Sequence, residues 1–220
     1  REAKGKYIAH LDGDDFWQPG KINAQLYFLQ HHPECSACYT NAWIVNNGLT
    51  PIGIFNNMIP IEFDLDFLLA KGNFLNHSSL LYRAEYRDCV MDSPELFIDY
   101  RIHIGLAMRG ALGFINVPYV TYRHASAQSM IQRSTEVVRE LYCDALVYAF
   151  VTSPTSCVYE SAWEDFVARL VKDGLVSLDI RFLLRWYKRL SKDIEKSKVR
   201  IMSVGVILGL LRLSYAILGR

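Results

Sequence analysis

Apolar and polar positions follow two different rhythms along this chain. Before residue 125, short apolar runs alternate with segments in which apolar residues recur at helical spacing, as Ile22, Leu26 and Leu29 do. After Thr135 the pattern is helical almost to the end. The runs predict strands at 7–11, 36–45, 52–55, 79–82, 113–117 and 119–122, and helices at 21–31, 65–70 and 98–109.

This order predicts an α/β fold, with a mixed sheet flanked by helices over residues 1–130 and a helical C-terminal extension over 131–220. The most apolar segment is the tail, 201–218, which Arg212 interrupts. A central arginine is costly in hydrocarbon, so we expect core packing, an oligomer contact or a peripheral membrane contact before a membrane span.

The first predicted strand is apolar on both faces, yet little chain precedes it to supply neighbouring strands. Arg1 to Gly5 is typical of a helix end closed by a glycine. We therefore expect the chain to be truncated at its N-terminus.

Charge and cysteine content narrow the classes of function. Lys and Arg number 24 against 23 acidic residues, so no basic field favours nucleic acid as a partner. The 5 cysteines form an odd set with no secretory segment before them, which favours reduced thiols and a cytoplasmic location. Cys35 and Cys38 have the spacing of half a zinc site, but no second pair accompanies them.

The first strand runs directly into Asp12, Asp14 and Asp15. Carboxylates crowded at the end of a buried strand repel one another, so a divalent cation with oxygen ligands is the natural resolution. Asp12 and Asp14 are two residues apart and would point the same way in extended backbone. The alternative is a solvated turn with a helix-capping aspartate.

Four ordered stretches resemble family 2 glycosyltransferases, which have the GT-A fold. The acidic segment 3–15, followed by Trp17, Pro19 and Lys21, is similar to the metal-binding segment of that family. Residues 73–83 resemble its acceptor-side strand, 97–101 the start of its catalytic helix, and 119–124, continuing to Ser126 and Ser129, its closing Tyr-Arg-His segment. The likeness covers residues 1–130 and leaves out the family's nucleotide-recognising strands.

The resemblance implies inverting, metal-dependent transfer of a sugar from a nucleotide diphosphate donor, most plausibly a UDP-sugar, to a hydroxyl of a saccharide or lipid-linked acceptor. Asp14, with Asp12, would hold Mg²⁺ or Mn²⁺, and Asp99 would be the general base. This chain has Ile98 where the family has a Glu before that Asp, so Asp92 and Glu95 stay open as alternative bases, and helix capping as another role for Asp99.

Further site residues follow from the same resemblance. His124 would complete the metal shell or contact the diphosphate, beside Arg123, whose guanidinium suits phosphate. The acceptor pocket would take Asn76, His77, Ser78 and Trp17, with ring stacking at Trp17 or Tyr100. The pathway expected is bacterial surface polysaccharide or glycolipid synthesis at the inner face of the membrane; the alternatives are nucleotidyl transfer or a non-catalytic remnant.

Overall fold

A computed structural model describes residues 2–124, 135–152 and 158–193, together with 203, 205–207, 209 and 210. It divides into two compact units, Arg1–Ala149 and Phe150–Arg220. The first unit is an α/β structure built on a seven-stranded mixed sheet, and the second is helical where it is described.

The strands of the first unit are β1 (Tyr7–Ala9), β2 (Phe16–Trp17), β3 (Cys35–Val45), β4 (Pro51–Ile54), β5 (Glu62–Phe63), β6 (Leu81–Arg83) and β7 (Ala111–Arg123). Its helices are α1 (Lys21–His31), α2 (Leu65–Lys71), α3 (Asp88–Met91), α4 (Asp99–Ala107) and α5 (Thr135–Thr152), with 3-10 turns at His77–Ser79 and Ala84–Tyr86. Helices α6 (Val158–Val176) and α7 (Ile180–Asp193) follow.

The sheet has the strand order β1-β6-β3-β7-β2, with β4 added to β3 and β5 to β7. β3 and β7 are parallel, whereas β6 runs antiparallel to both β1 and β3. β1, β3 and β7 therefore run in the same direction, but β1 ends level with Leu81 and Cys38, seven residues before β3 ends, and the 3-10 turn His77–Ser79 leads into β6 beside the end of β1. Ligands of open α/β sheets bind outside the carboxyl ends of the strands.

Residues 113–122 differ from the prediction, because the two expected strands are one continuous strand. Pro118 separated them in the sequence pattern, but it lies at a bulge where the register moves from Thr40↔Ile115 to Asn41↔Pro118. The Asn41 side chain compensates for the interrupted ladder by donating to Asn56 O and Asn116 Oδ1 and accepting from the backbone N–H groups of Ala42 and Asn56.

Helix α1 begins and ends where the sequence predicted, and it packs on the sheet through Phe28 and Leu29. The close fit depends on Gly113 of β7, because a Cβ there would lie 2.1 Å from the Phe28 ring. Arg83 closes the C-terminal end of α1 by donating to Leu29 O and His32 O.

In the second unit, α6 and α7 pack through Phe166, Trp186 and Phe182, whose rings contact one another. Gly205 and Gly209 fit closely against Val167 and Val171 of α6, where a Cβ would lie within 3 Å of those side chains. Among the helices that the structure describes, none is long and apolar enough to cross a membrane. Most of the apolar tail 201–218 lies outside the described residues.

Candidate active site

The acidic loop after β1 is held in place by the turn His77–Ser79. Ser78 is fully buried; its hydroxyl accepts from the Asp12 N–H at 3.0 Å and donates to Asp12 Oδ2 at 3.1 Å. The Trp17 indole N–H donates to Ser78 O at 2.8 Å, and this hydrogen bond holds the segment that follows the acidic loop. Ser78 and Trp17, predicted to line an acceptor pocket, thus shape the acidic loop itself.

The three carboxylates have different surroundings. Asp12 Oδ1 accepts from His10 Nε2 at 3.1 Å, and this hydrogen bond is the main reason that the pKa of Asp12 lies below its ordinary value. Asp14 is half-buried, and its side chain has no hydrogen bond within the described part of the chain. Asp15 is buried, and burial raises its pKa.

Asp15 joins the acidic loop to the end of β7. Its Oδ1 accepts from the backbone N–H of Arg123 at 3.0 Å, whereas its Oδ2 is buried without a partner among residues 2–124 or the other described residues. An unpaired buried carboxylate oxygen is costly unless a cation or a proton reaches it. Asp12, Asp14 and Asp15 offer oxygen donors only, the kind that Mg²⁺ and Mn²⁺ prefer, although they are not among the groups of the described chain whose three ligand atoms lie within 4.8 Å of one another.

Asp99 approaches the same region from the start of α4. Ile98, not Asp99, is the N-cap residue of that helix, and Asp99 Oδ1 instead accepts from Asn73 Nδ2 at 3.0 Å and from the Tyr100 N–H. Burial raises the pKa of Asp99 despite these two hydrogen bonds. Asp92 and Glu95, the alternative bases, are both exposed.

Tyr122 shows that the acidic groups share one neighbourhood. Its pKa is raised first by burial and then by the charges of Asp15, Asp14, Asp99 and Asp12. All four carboxylates are therefore within electrostatic reach of one phenol on β7.

The other residues predicted for the site differ in their burial and in their hydrogen bonds. Arg123 is half-buried with its guanidinium 5.5 Å from the Phe16 ring centre, and its Nε is buried without a partner in the described chain. His124 is exposed, and its backbone N–H donates to Val45 O. Asn76 is buried with its Oδ1 also unpaired within the described residues, and Tyr100 is a core residue stacked on Tyr142.

A buried network of polar side chains lies beside the turn that holds Asp12. The Lys21 ammonium donates to Gln25 Oε1 at 2.8 Å and lies 4.4 Å from the Trp17 ring centre, and burial lowers its pKa to about 8. Gln25 Nε2 donates in turn to Cys38 O and Ser79 O. This network ties α1 to β3 and to the turn that holds Asp12.

Three histidines that the sequence did not assign as a group lie beside Asp99. The ring of His77 is 3.9 Å from that of His10, centre to centre, and His77 Nδ1 is 3.3 Å from His103 Nε2. Burial lowers the pKa of His77 to about 4 and lowers that of His103 further. His103 follows Asp99 by four residues, and this helical spacing is the signal that could have identified it.

The cysteines take no part in this region. Cys35, Cys38 and Cys89 carry free thiols, and Cys157 lies outside the described residues. Burial raises the pKa of Cys35 to about 12 and raises that of Cys38 further, so both remain protonated.

Comparison with known proteins found three mycobacterial relatives, each named only as an uncharacterized protein, one from Mycobacterium bovis and two from strains of Mycobacterium tuberculosis. Each is 27% identical to this chain over 127 residues, which cover 55% of this chain and 35% of the relative. The match thus spans about a third of the length of these relatives. No family model matches the chain.

Proposed function

We propose that this chain carries the metal, acceptor and base half of a GT-A glycosyltransferase of family 2, which transfers a sugar from a nucleotide diphosphate donor to a hydroxyl acceptor with inversion. One observation carries the proposal: the charges of Asp12, Asp14, Asp15 and Asp99 all contribute to the raised pKa of Tyr122, so the four carboxylates lie within electrostatic reach of one phenol. The motifs that resemble the family supply the same residues.

Unpaired buried atoms support a ligand at this site. Asp15 Oδ2, Arg123 Nε and Asn76 Oδ1 each lack a hydrogen-bond partner in the described chain. Buried polar groups are nearly always paired in folded proteins, so such a group of unpaired atoms favours an ion and a polar substrate there. The unpaired guanidinium nitrogen suits the diphosphate, and the carboxylates suit the cation.

Each residue then has a defined task. Asp12, Asp14 and Asp15 would hold Mg²⁺ or Mn²⁺, which when bound stabilises the negative charge that develops on the departing nucleoside diphosphate. Asp99 takes the proton of the acceptor hydroxyl as that oxygen forms a bond to the anomeric carbon and the bond from that carbon to the diphosphate breaks. Burial of Asp99 makes it a stronger base once it is ionised.

The proposal also covers the acceptor, the location of the reaction and its pathway. The acceptor is a saccharide or lipid-linked hydroxyl, and the reaction takes place in the cytoplasm at the inner face of the membrane, in the synthesis of a surface polysaccharide or glycolipid. The exposed face of α7 supports a membrane contact, because it presents Arg181 and Lys188 beside Leu184 and Tyr187.

Replacing Asp14 tests the proposal. In the full-length enzyme, with a UDP-sugar and Mn²⁺, we expect D14A to lose donor turnover by a factor of about a hundred or more, since metal stabilisation of the leaving group contributes several kcal/mol. E85A removes an exposed carboxylate that has no role in the proposed site and should keep full turnover.

The products decide between this reaction and its alternatives. Release of nucleoside diphosphate supports sugar transfer, whereas release of pyrophosphate would identify nucleotidyl transfer instead. Equal turnover in D14A and in the unmodified protein would refute the assignment of the acidic loop.

A further inference from the structure

We infer that His77, His103 and Asp99 form a second metal site, suited to Zn²⁺ and related transition metals and separate from the oxygen ligands of the acidic loop. One ligand atom from each of these three residues lies within 4.8 Å of the other two. His103 and Asp99 are one turn apart on α4, and His77 reaches them from the 3-10 turn that precedes β6.

The distance between the two imidazole nitrogens supports this inference. His77 Nδ1 and His103 Nε2 are 3.3 Å apart, which is long for a hydrogen bond that typically measures about 3.0 Å. Two nitrogens bound to one tetrahedral Zn²⁺ at about 2.0–2.1 Å are about 3.3–3.4 Å apart. The two rings thus already have the separation that the ion requires.

The surroundings hold the ligands in position. Asn73 Nδ2 and the Tyr100 N–H both donate to Asp99 Oδ1, which leaves Oδ2 to serve as a ligand. The His10 ring stacks on His77, and the edge of the Tyr39 ring contacts His103. Supporting contacts of this kind orient the ligands of metal sites.

The donor set selects the ion. Two imidazole nitrogens and one carboxylate oxygen suit Zn²⁺, Co²⁺ or Fe²⁺, whereas Mg²⁺ prefers oxygen alone. His103 is fully buried and His77 is half-buried, and the lowered pKa of each favours the neutral ring, which is the form that binds metal. The acidic loop and this group therefore prefer different ions.

Metal binding alone tests the inference, with neither nucleotide nor sugar present. Chelator-treated protein is titrated with Co²⁺ and followed by its visible absorption, and Zn²⁺ is then added as a competitor. We expect the bands of a four-coordinate Co²⁺ site that Zn²⁺ abolishes, and a loss of affinity of about tenfold or more in both H77Q and D99N. These two changes avoid the fully buried His103, and circular dichroism verifies that each variant is folded.

A matched control separates this site from the other group of possible ligands, His32, Glu34 and Glu62. H32Q should bind Co²⁺ as the unmodified protein does. Binding that is lost in H32Q and kept in H77Q would overturn the inference, as would a thiolate absorption band or the absence of any Co²⁺ binding.

The inference also has a consequence that rests on the proposed function. An ion on Asp99 Oδ2 occupies the electron pair that would accept the proton of the acceptor, so Zn²⁺ should inhibit transfer measured with Mg²⁺. H77Q should need about ten times more Zn²⁺ for the same inhibition. In the full-length enzyme, Co²⁺ binding without any sugar transfer would refute the proposed function and leave this metal site standing.

Discussion

At the scale of single residues, the site depends on polar groups that are buried and not fully paired. Asp15 and Asp99 have raised pKa values because burial disfavours their charge, whereas a hydrogen bond from His10 keeps Asp12 ionised. Neighbouring carboxylates with pKa values shifted in opposite directions are typical of sites that combine charge stabilisation with proton transfer.

The pH dependence of catalysis should follow Asp99. A base acts only when ionised, so kcat/KM should be constant at high pH and fall as the pH drops through the raised pKa of Asp99. We expect this fall above the ordinary pKa of an aspartate, and D99N should lower kcat by a factor of about 10² to 10⁴ at high pH and lose this pH dependence. Activity in D99N equal to that of the unmodified protein, with D92A impaired instead, would assign the base to Asp92.

His77 should make the fold sensitive to acid. Its pKa is about 4 in the folded protein against an ordinary value of 6.5, so the unfolded chain binds a proton that the folded chain excludes. The free energy of unfolding should therefore decrease between pH 6.5 and pH 4, by about 3 kcal/mol from this residue.

Urea denaturation with EDTA present measures this effect. H77Q should show a smaller decrease over the same pH range, because glutamine does not titrate. H31Q is the matched control, since His31 is exposed. Identical pH profiles for H77Q and the unmodified protein would exclude His77 as the source.

The sequence identified the residues that motifs carry and missed those that only the fold brings together. Asp12, Asp14 and Asp99 could be found because they stand in ordered segments that resemble one family. Tyr122 and Asn73 stand in two of these segments as well, but the sequence assigns neither a role, because the groups that they meet are far away in the chain. The burial of Asn76 and Ser78 was also not predictable, since polar residues before a strand are usually exposed.

At the scale of elements, the parallel pair of β3 and β7 positions both ends of the site. Helix α4 begins with Asp99 and is followed by β7, which ends with Arg123. A change in the backbone between α4 and β7 would therefore move Asp99 relative to Arg123. The sequence predicted the helices well, because their apolar spacing is local. It divided β7 at Pro118, because the bulge that accommodates this proline depends on the Asn41 side chain of another strand.

Gly110 should be required for the close connection between α4 and β7. It lies between α4 and β7, and a Cβ there would be 2.5 Å from the backbone oxygen of Glu34, which cannot move without disturbing β3. We expect G110A to lower the free energy of unfolding by about 2 kcal/mol or more.

Gly53 of β4 provides the control for that measurement. A Cβ at Gly53 meets no atom within 4 Å, so G53A should leave stability within about 0.5 kcal/mol of the unmodified protein. Urea denaturation compares the two variants, and equal stability of both would show that the chain relaxes around Gly110.

At the scale of the whole molecule, the two units have different surfaces. The first carries the carboxylate-rich site, whereas α7 of the second has five basic residues and a single acidic residue, Asp193, at its end. Ile180, Leu184 and Tyr187 on the same helix are each more than half exposed. A helix that combines cationic and apolar exposed side chains is typical of binding to anionic lipid.

Vesicle sedimentation tests this contact. The protein should bind vesicles that contain phosphatidylserine more strongly than neutral vesicles, and salt should weaken the binding because it screens the charges. The double variant R181E/K188E should bind at least about tenfold more weakly, since each basic residue near the surface contributes about 1 kcal/mol.

The variant K4E/K6E carries the same change of charge in the first unit and should bind as the unmodified protein does. If both double variants bound equally weakly, net charge and not the face of α7 would explain the attraction. Equal binding of R181E/K188E and the unmodified protein would exclude this helix.

The parallel pairing of β3 with β7 also determines when the molecule can acquire its structure during synthesis. Cys35 pairs with Ala111 and Val45 with Arg123, and partners along the two strands are 75 to 78 positions apart in the chain. Closing a loop of that length before any pairing is gained makes folding slow. The ribosome must therefore release most of the first unit before β3 finds its neighbour, and until then its apolar edge is open to aggregation and is a natural target for chaperones.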